Sequence, residues 1–257
     1  MHPGKPQFVQ RLQTADAGLS LTMAYGHGEM DGAGDCTVLW LVLRGQVRVT
    51  SREGDFILGA RDWIALGADS APQALAGSGA LLLGVDLSRA AGRPPLLPGR
   101  GRLGRGERRQ ALAIWRAHGA GLLAFLDTLQ ADLAAGADRC PGHSQRRKRQ
   151  VLLRMQRARL CLEGQADGGL RIAELASRIN FSPWYFSKVF HAVYGIGPQQ
   201  FAASMRLERA SRLLATTTLP VTEVSAACGF DNPCSFARAF RARFGMTASE
   251  HRLRGTR

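Results

Sequence analysis

Hydrophobic residues in the first 90 positions occur in short runs that are separated by glycine-rich turns. Residues 36–51 contain an apolar run, then Arg44 and Gly45, and then valines at alternate positions. This order of an apolar run, a glycine turn and an alternating run predicts a β-hairpin. Similar short runs at 56–59, 63–66 and 80–87 extend the pattern. We therefore predict a small β-sandwich or barrel over residues 1–90.

The next two segments differ sharply in composition. Residues 91–106 hold five glycines and three prolines, which predicts a linker with neither helix nor central strand. Residues 107–135 instead place apolar side chains three or four positions apart, typical of a helix. Glycines near position 120 indicate two helices with a bend. Two interpretations of the apolar seam remain open, namely packing on the chain's own barrel and a homodimer interface through 107–135.

A second linker is predicted at 136–143, and one pattern is written twice after it. Phenylalanine, a basic residue, phenylalanine and glycine recur with a constant offset of 50 residues, as Phe186, Lys188, Phe190 and Gly195 and then as Phe236, Arg238, Phe240 and Gly245. Such a fixed period indicates one structural unit used twice. Each copy predicts a short helix, a tight turn and a second helix, which is a helix-turn-helix. A longer helix at 198–215 separates the copies.

The exposed faces of the second helices, 183–194 and 233–244, are the predicted nucleic-acid interface. Near its start, such a helix reaches base edges in the major groove of DNA. The predicted base-reading side chains are Trp184, Ser187 and Lys188 in the first copy and Cys234, Ser235 and Arg238 in the second. Predicted phosphate contacts are His191, Arg241 and Arg243, which position the protein without specifying sequence.

Charge and cysteine content narrow the class of protein. The net charge is +14. Up to residue 100 the chain has nine Lys or Arg and nine Asp or Glu, whereas 25 basic and 11 acidic residues follow. Such segregation predicts a polyanionic partner for the later part only. Five cysteines without a Cys-x-x-Cys pair argue against a disulfide framework or zinc site, and no long apolar run or signal peptide is present, so we expect a cytoplasmic protein outside the membrane.

The later part of the chain resembles the DNA-binding domain of the AraC/XylS family of bacterial transcription regulators, over residues 144–257. The resemblance rests on Leu175, Ala176, Ser182, Phe190, Gly195, Arg206, Leu207, Gly229, Phe230, Phe236, Arg238, Phe240, Gly245 and Thr247 with their spacing. It implies an activator that contacts RNA polymerase. The length of the helix at 198–215 separately predicts that the two copies read two successive major-groove segments. Asn180, His191, Ala248 and His251 depart from the family pattern, which affects the expected affinity and target rather than the fold.

The first 90 residues resemble the cupin-like regulatory module of such proteins, which implies effector sensing or dimerisation. Metal-binding cupins use a His-x-His motif, and this segment has only His2 and His27. No metal or cofactor is therefore expected. Trp40 and Trp63 are either core residues or the lining of an effector pocket. The alternatives are a cupin-type metalloenzyme with a DNA-binding tail and an architectural DNA binder without sequence preference.

Overall fold

The computed structural model describes residues 8–13, 19–26, 28–32, 36–88, 95–165 and 169–255. The chain divides into two compact units, Met1–Leu160 and Cys161–Arg257. The first unit is rich in strands and the second is helical. The predicted α+β fold class is therefore confirmed, with a small β-sandwich or barrel, a helical segment and an all-α domain of two helix-turn-helix units joined by a long helix. None of the helices in the described ranges combines the length and apolar character that a membrane crossing requires.

The described strands of the first unit form two antiparallel sheets. The six-stranded sheet has the order β1 (Phe8–Gln13), β2 (Leu19–Tyr25), β9 (Leu81–Ser88), β4 (Cys36–Arg44), β7 (Asp62–Leu66) and β10 (Gly99–Arg102). The four-stranded sheet has the order β3 (Gly28–Asp31), β8 (Gln73–Ala76), β5 (Val47–Ser51) and β6 (Gly54–Leu58). Because most neighbouring strands are not consecutive in sequence, long-range pairing rather than hairpins alone builds the sandwich.

The central strand β4 is buried on both faces, and its residues therefore alternate between two hydrophobic cores. Leu39, Leu41 and Leu43 belong to the core that the helices cover. Val38 and Trp40 belong to the core shared with the four-stranded sheet. Side chains alternate across a strand with a period of two, which explains the division. A strand buried on both faces reads as a continuous apolar run, as residues 38–43 do.

The segment predicted at 91–106 as a linker with neither helix nor central strand contains an edge strand in its described part. Residues 99–102 form β10, which pairs antiparallel with β7, and Leu97 and Leu103 are fully buried. A Cβ added at Gly101 would lie 2.9 Å from the ring of Trp63, so only glycine lets this ring cover the backbone. The glycines thus serve close packing rather than flexibility. Residues 91–94 of the predicted linker lie outside the described residues.

The helical segment predicted at 107–135 consists of α1 (Arg105–Arg116) and α2 (Leu122–Ala134). The predicted break near Gly119–Gly121 is therefore confirmed, and His118, Gly119 and Gly121 have positive φ there. Buried residues of both helices, including Ile114, Leu122 and Leu126, share a core with the six-stranded sheet. Hence the seam packs on the chain's own sandwich. A homodimer interface on the same segment stays a prediction.

Helix α3 (Gln145–Gly164) contains the boundary between the two units. Leu160 lies in the core between the sheets, and Arg157 pairs with Glu53 at 3.3 Å and with Asp69 at 3.4 Å. Residues 145–160 therefore pack with the first unit. The sequence placed the start of the second domain at residue 144, after a linker at 136–143. The first residues of the predicted linker at 136–143 belong to a short 3₁₀ helix, Ala135–Arg139. Cys140 follows this helix, and burial raises the pKa of its thiol to about 11.

The second unit consists of α4 (Ile172–Arg178), α5 (Pro183–Tyr194), α6 (Pro198–Thr216), α7 (Val221–Ala227), α8 (Pro233–Phe244) and α9 (Ala248–Gly255), together with the end of α3. The pairs α4–α5 and α7–α8 are the two predicted copies. Helix α6 joins them, and α9 follows a capping box in which Thr247 and Glu250 bond each other's backbone N–H.

Candidate nucleic-acid interface

The first helix-turn-helix has its geometry fixed by three local signals. Asn180 adopts a left-handed conformation with φ of 57° and ends the turn after α4; asparagine tolerates this region better than most residues. The hydroxyl of Ser182 then accepts the backbone N–H of Tyr185 at 3.3 Å. Pro183 follows at the first helical position, where its missing N–H costs nothing. Gly195, with φ of 77°, ends α5.

In the second copy, different residues form the turn and cap the second helix. Gly229 takes the left-handed position with φ of 71°, and the carboxamide oxygen of Asn232 accepts the N–H groups of Cys234 and Ser235 at 2.8 and 3.4 Å. Asn180 precedes the capping Ser182 by two positions, whereas Gly229 precedes the capping Asn232 by three. The turn of the second copy is thus one residue longer. The offset of 50 residues between the copies holds only for positions after this turn.

Two buried phenylalanines anchor each second helix. Phe186 and Phe190 are fully buried in the first copy, with ring centroids 5.5 Å apart. Phe236 and Phe240 repeat this pair at 5.4 Å. Tilted and edge-to-face rings at these separations are favourable aromatic geometries. The pairs fix which face of each helix is buried, and therefore which face remains accessible.

Helix α6 contacts both copies, and one of its residues braces the second turn. On the first copy, the ring of Phe201 lies 5.6 Å from that of Phe190. On the second, the guanidinium of Arg206 donates to the carbonyl of Gly229 at 2.9 Å and lies 5.0 Å above the ring of Phe230. Sequence reasoning used Arg206 only for the family resemblance and missed this positioning role. Gly229 lies 23 positions later in the sequence, so the local pattern of α6 does not reveal this contact.

The first reading face, which we define as Trp184, Ser187 and Lys188, lies near the start of α5. The Trp184 side chain is 71% exposed, an uncommon state for so large an apolar group. The ammonium of Lys188 lies 5.1 Å from the centre of its ring. The hydroxyl of Ser187 donates to the carbonyl of Pro183 at 2.9 Å, which leaves its oxygen as an acceptor. His191, one turn further along, is exposed.

The second reading face, defined as Cys234, Ser235 and Arg238, occupies the corresponding part of α8. All three residues are exposed, as is Arg241 one turn later. Arg243, the third predicted phosphate contact, donates instead to the carboxylate of Glu208 at 2.8 Å and lies 5.7 Å from the ring of Phe244. It therefore ties α8 to α6, and a phosphate contact through Arg243 would compete with Glu208.

The surroundings of Cys228 and Glu250 shift the pKa values of these two groups. Burial raises the pKa of the Cys228 thiol, and the nearby guanidinium of Arg209 opposes that shift. This thiol is therefore a core group rather than a nucleophile. The backbone N–H of Thr247 holds the pKa of Glu250 below its ordinary value, because it bonds the carboxylate form. The capping box of α9 is thus strongest above the ordinary pKa of glutamate and weakens as the pH falls through the lowered value.

Trp40 and Trp63, for which the sequence left open a core role or an effector pocket, lie on opposite faces of the six-stranded sheet. Trp40 contributes to the core between the sheets and also lines a cavity there, whereas Trp63 packs in the core beneath α1 and α2. One pocket containing both rings is therefore ruled out. Within the described ranges, no cluster of His, Cys, Asp or Glu is suited to hold a metal ion. His2 and His27 lie outside those ranges.

Comparisons with known proteins match part of the chain. A family model described as "Helix-turn-helix domain" matches residues 175–254. The HTH-type transcriptional regulator CdhR of Pseudomonas aeruginosa is 36% identical over 91 residues, which cover 35% of this chain and 27% of that protein. The arabinose operon regulatory protein of Escherichia coli is 33% identical over 87 residues, covering 34% of this chain and 30% of that protein.

Among solved structures, a transcriptional regulator of Chromobacterium violaceum described as containing an AraC-type DNA-binding domain is 24% identical, with a TM-score of 0.39. The alignment covers 40% of this chain and 93% of that one. The sequence matches to the two curated relatives span about a third of their lengths or less. These relatives are regulators of transcription by name.

Proposed function

We propose, from the AraC-type helix-turn-helix domain to which residues 175–254 belong, that this chain is a sequence-specific DNA-binding regulator of transcription. The observation that carries the proposal is the repeated exposure of two α-helical faces. In both copies a phenylalanine pair is buried, while a basic residue at the same register, Lys188 or Arg238, is exposed. An exposed basic residue near the start of the second helix is where a helix-turn-helix contacts DNA, and both copies have one.

Helices α5 and α8 would each enter a major groove and read bases through the two faces. Arg238 has the fork of donors that suits guanine O6 and N7, whereas Lys188 offers a point charge beside the apolar ring of Trp184. Helix α6 has 19 residues and spans about 28 Å at ~1.5 Å per residue. This length supports a separation near one turn of DNA, about 34 Å. The two segments would be successive grooves on one side of the duplex.

The decisive experiment begins with genome-wide mapping of the sites that the full chain occupies. A short duplex from a mapped site is then titrated with the wild type, Lys188→Ala and Arg238→Ala. Each variant should lose about 1–3 kcal/mol of specific binding free energy. Each should also relax base preference at a different half of the site, because the two faces carry different side chains.

Arg48→Ala is the matched control, since it removes an exposed arginine from the first unit. Its specific binding should equal that of the wild type. Unchanged specific binding in both Lys188→Ala and Arg238→Ala would contradict the proposed faces. Equal affinity for mapped and random duplexes at fixed salt would instead favour an architectural binder. Binding should weaken steeply with salt in either case, because phosphate contacts dominate affinity.

The finer parts of the function are proposals of the same kind. The resemblance to the family supports activation through contact with RNA polymerase, and the names of the relatives support regulation rather than catalysis. A DNA-binding regulator acts in the cytoplasm of a bacterium, which gives the proposed location. We further propose that the first unit senses a small-molecule effector and that residues 107–135 support a homodimer. A cupin-type metalloenzyme would be revealed by a stoichiometric metal in the purified protein.

A further inference from the structure

A cavity of about 200 Å³ lies within the first unit. It is lined by Arg11, Thr22, Met30, Asp31, Trp40, Gly84 and Asp86. This volume is below the range of about 300–1,000 Å³ that is typical of pockets for drug-sized ligands, so the cavity suits a small organic molecule.

The register of the six-stranded sheet explains why space exists at this point. Arg11 pairs with Thr22, Thr22 with Gly84, and Gly84 with Trp40, so the four residues form one row across four strands. Gly84 leaves a gap in that row. A Cβ at this position would lie 3.4 Å from Cδ1 of Trp40 and 3.5 Å from Cε of Met30, which are ordinary contact distances. A methyl group would thus fit, and the sequence leaves its place open.

Thr22 gives an independent sign that the cavity receives a polar group. The residue is 5% exposed, and its hydroxyl oxygen has no hydrogen-bond partner among the described residues. A buried hydroxyl without a partner is unfavourable and uncommon in folded proteins. Thr22 lines the cavity, and a rotation about its χ1 bond would bring the enclosed oxygen to a ligand with a hydrogen-bonding group.

The charges around the cavity favour a cation. Arg11 donates to Oδ2 of Asp86 at 3.2 Å, and the hydroxyl of Ser20 donates to the same oxygen at 3.1 Å. Asp31 accepts a bond from the neutral side chain of Gln73 at 3.2 Å. One arginine thus stands against two carboxylates, which leaves one negative charge in excess. An anionic ligand would have to displace Asp86 from Arg11 and approach Asp31.

The remaining walls are apolar and aromatic. Trp40 is 1% exposed, and Met30 packs against the same core. An ammonium group has three N–H donors, and the two carboxylates and the Thr22 hydroxyl are acceptors. The ring of tryptophan also attracts cations. We propose that this cavity binds a small primary amine in its ammonium form, with a short apolar body against Trp40 and Met30.

Calorimetric titration of the full chain tests the ligand class directly. The probes are n-butylamine and benzylamine, with butan-1-ol and butyrate as neutral and anionic analogues of matched size. The amines should give saturable binding of one molecule per chain, and the analogues should bind about tenfold more weakly or worse. Equal binding of butan-1-ol, preferred binding of butyrate, or no binding of either amine would overturn the proposal.

Three variants place the binding in this cavity. Thr22→Val removes the hydroxyl and keeps the shape, Asp31→Asn removes one charge, and Gly84→Ala fills the gap. Each should weaken n-butylamine binding by about fivefold or more, while circular dichroism shows an unchanged fold. Thr37→Val is the matched control, because Thr37 is buried in the same sheet but does not line the cavity. Unchanged affinity in all three variants, or an equal loss in Thr37→Val, would refute the site.

The regulatory meaning of this site rests on the proposed function, because an effector matters only if the chain regulates DNA. Binding of the amine itself is measured without DNA. A chain that binds n-butylamine but no mapped duplex would refute the proposed function and retain the cavity. The opposite result would refute the cavity and retain the regulator.

Discussion

The two helix-turn-helix copies share a backbone but not a surface. Both place a residue with positive φ at the turn, Asn180 or Gly229, and both bury two phenylalanines in the second helix. Their exposed faces differ, since the first offers a tryptophan beside a lysine and the second offers an arginine beside small polar side chains. The buried half of each copy must satisfy packing, which admits few solutions. The exposed half carries no such packing constraint, so its side chains differ between the two copies.

The largest difference from the wild type is expected when an equivalent buried phenylalanine ring is removed from each copy. Phe190→Ala and Phe240→Ala should each lower the free energy of unfolding of the second unit by about 3–5 kcal/mol, because each leaves a cavity in a buried cluster. Urea denaturation measures the change. Leu253→Ala, at a side chain that is 70% exposed, should stay within about 0.5 kcal/mol of the wild type. A large effect in only one copy would mean that the two cores are not equivalent.

A second experiment separates the copies through helix α6. Arg206→Ala removes the brace on Gly229 and Phe230, and should cost about 1–3 kcal/mol because a charged hydrogen bond is lost. DNase footprinting should show weaker protection at the half-site read by α8, with the α5 half-site retained. Arg206→Lys should restore part of the effect. Arg209→Ala, on the same helix, serves as the control, and equal loss at both half-sites would contradict a local brace.

The two N-caps test whether different residues do the same work. Ser182→Ala and Asn232→Ala should each cost about 0.5–2 kcal/mol, with the larger loss at Asn232, which accepts two backbone N–H groups. The exchanges Ser182→Asn and Asn232→Ser should be nearly neutral in thermal denaturation. If either exchange costs as much as the alanine, the caps are specific to their own turn lengths.

The smallest effect is expected at the left-handed turn residues. Asn180→Gly and Gly229→Asn should each change the free energy of unfolding by less than about 1 kcal/mol, because both residue types accept positive φ. Valine at either position should cost more, since its branched side chain clashes there. Denaturation curves of the four variants give the answer, and a tolerated valine would show that the turn can adopt another conformation.

Much of the second unit follows from the sequence because its signals are local. The cap at Ser182, the prolines at 183 and 233, the glycines at 195 and 245, and the apolar spacing all act within a few residues. The exposed residues of both faces follow from the same helical period. Arg243 is exposed as well, but its ion pair with Glu208 does not follow from the local pattern, because Glu208 lies 35 positions earlier on another helix. A phosphate contact through Arg243 stays a prediction.

The first unit was predicted less completely because its decisive contacts are distant in sequence. The pairing of β10 with β7 joins residues that lie 34 to 40 positions apart, and the glycines that permit this pairing are also typical of a linker. The division of the chain inside α3 depends on where Leu160 packs rather than on any break in helical pattern. The sequence suggested the same alternatives for Trp40 and Trp63, but the register of β4 and β7 places their side chains on opposite faces of the six-stranded sheet.

The sequence by itself determined the repeated helix-turn-helix, its caps and the exposed residues at 184, 188 and 238, because periodicity and local hydrogen bonds specify them. Only the tertiary structure decided that Arg206 braces the second turn, that Arg243 pairs with Glu208, and that Thr22, Gly84 and Trp40 line one cavity. Those arrangements join residues through space, and their free energies arise from packing and charge between elements that the sequence keeps apart.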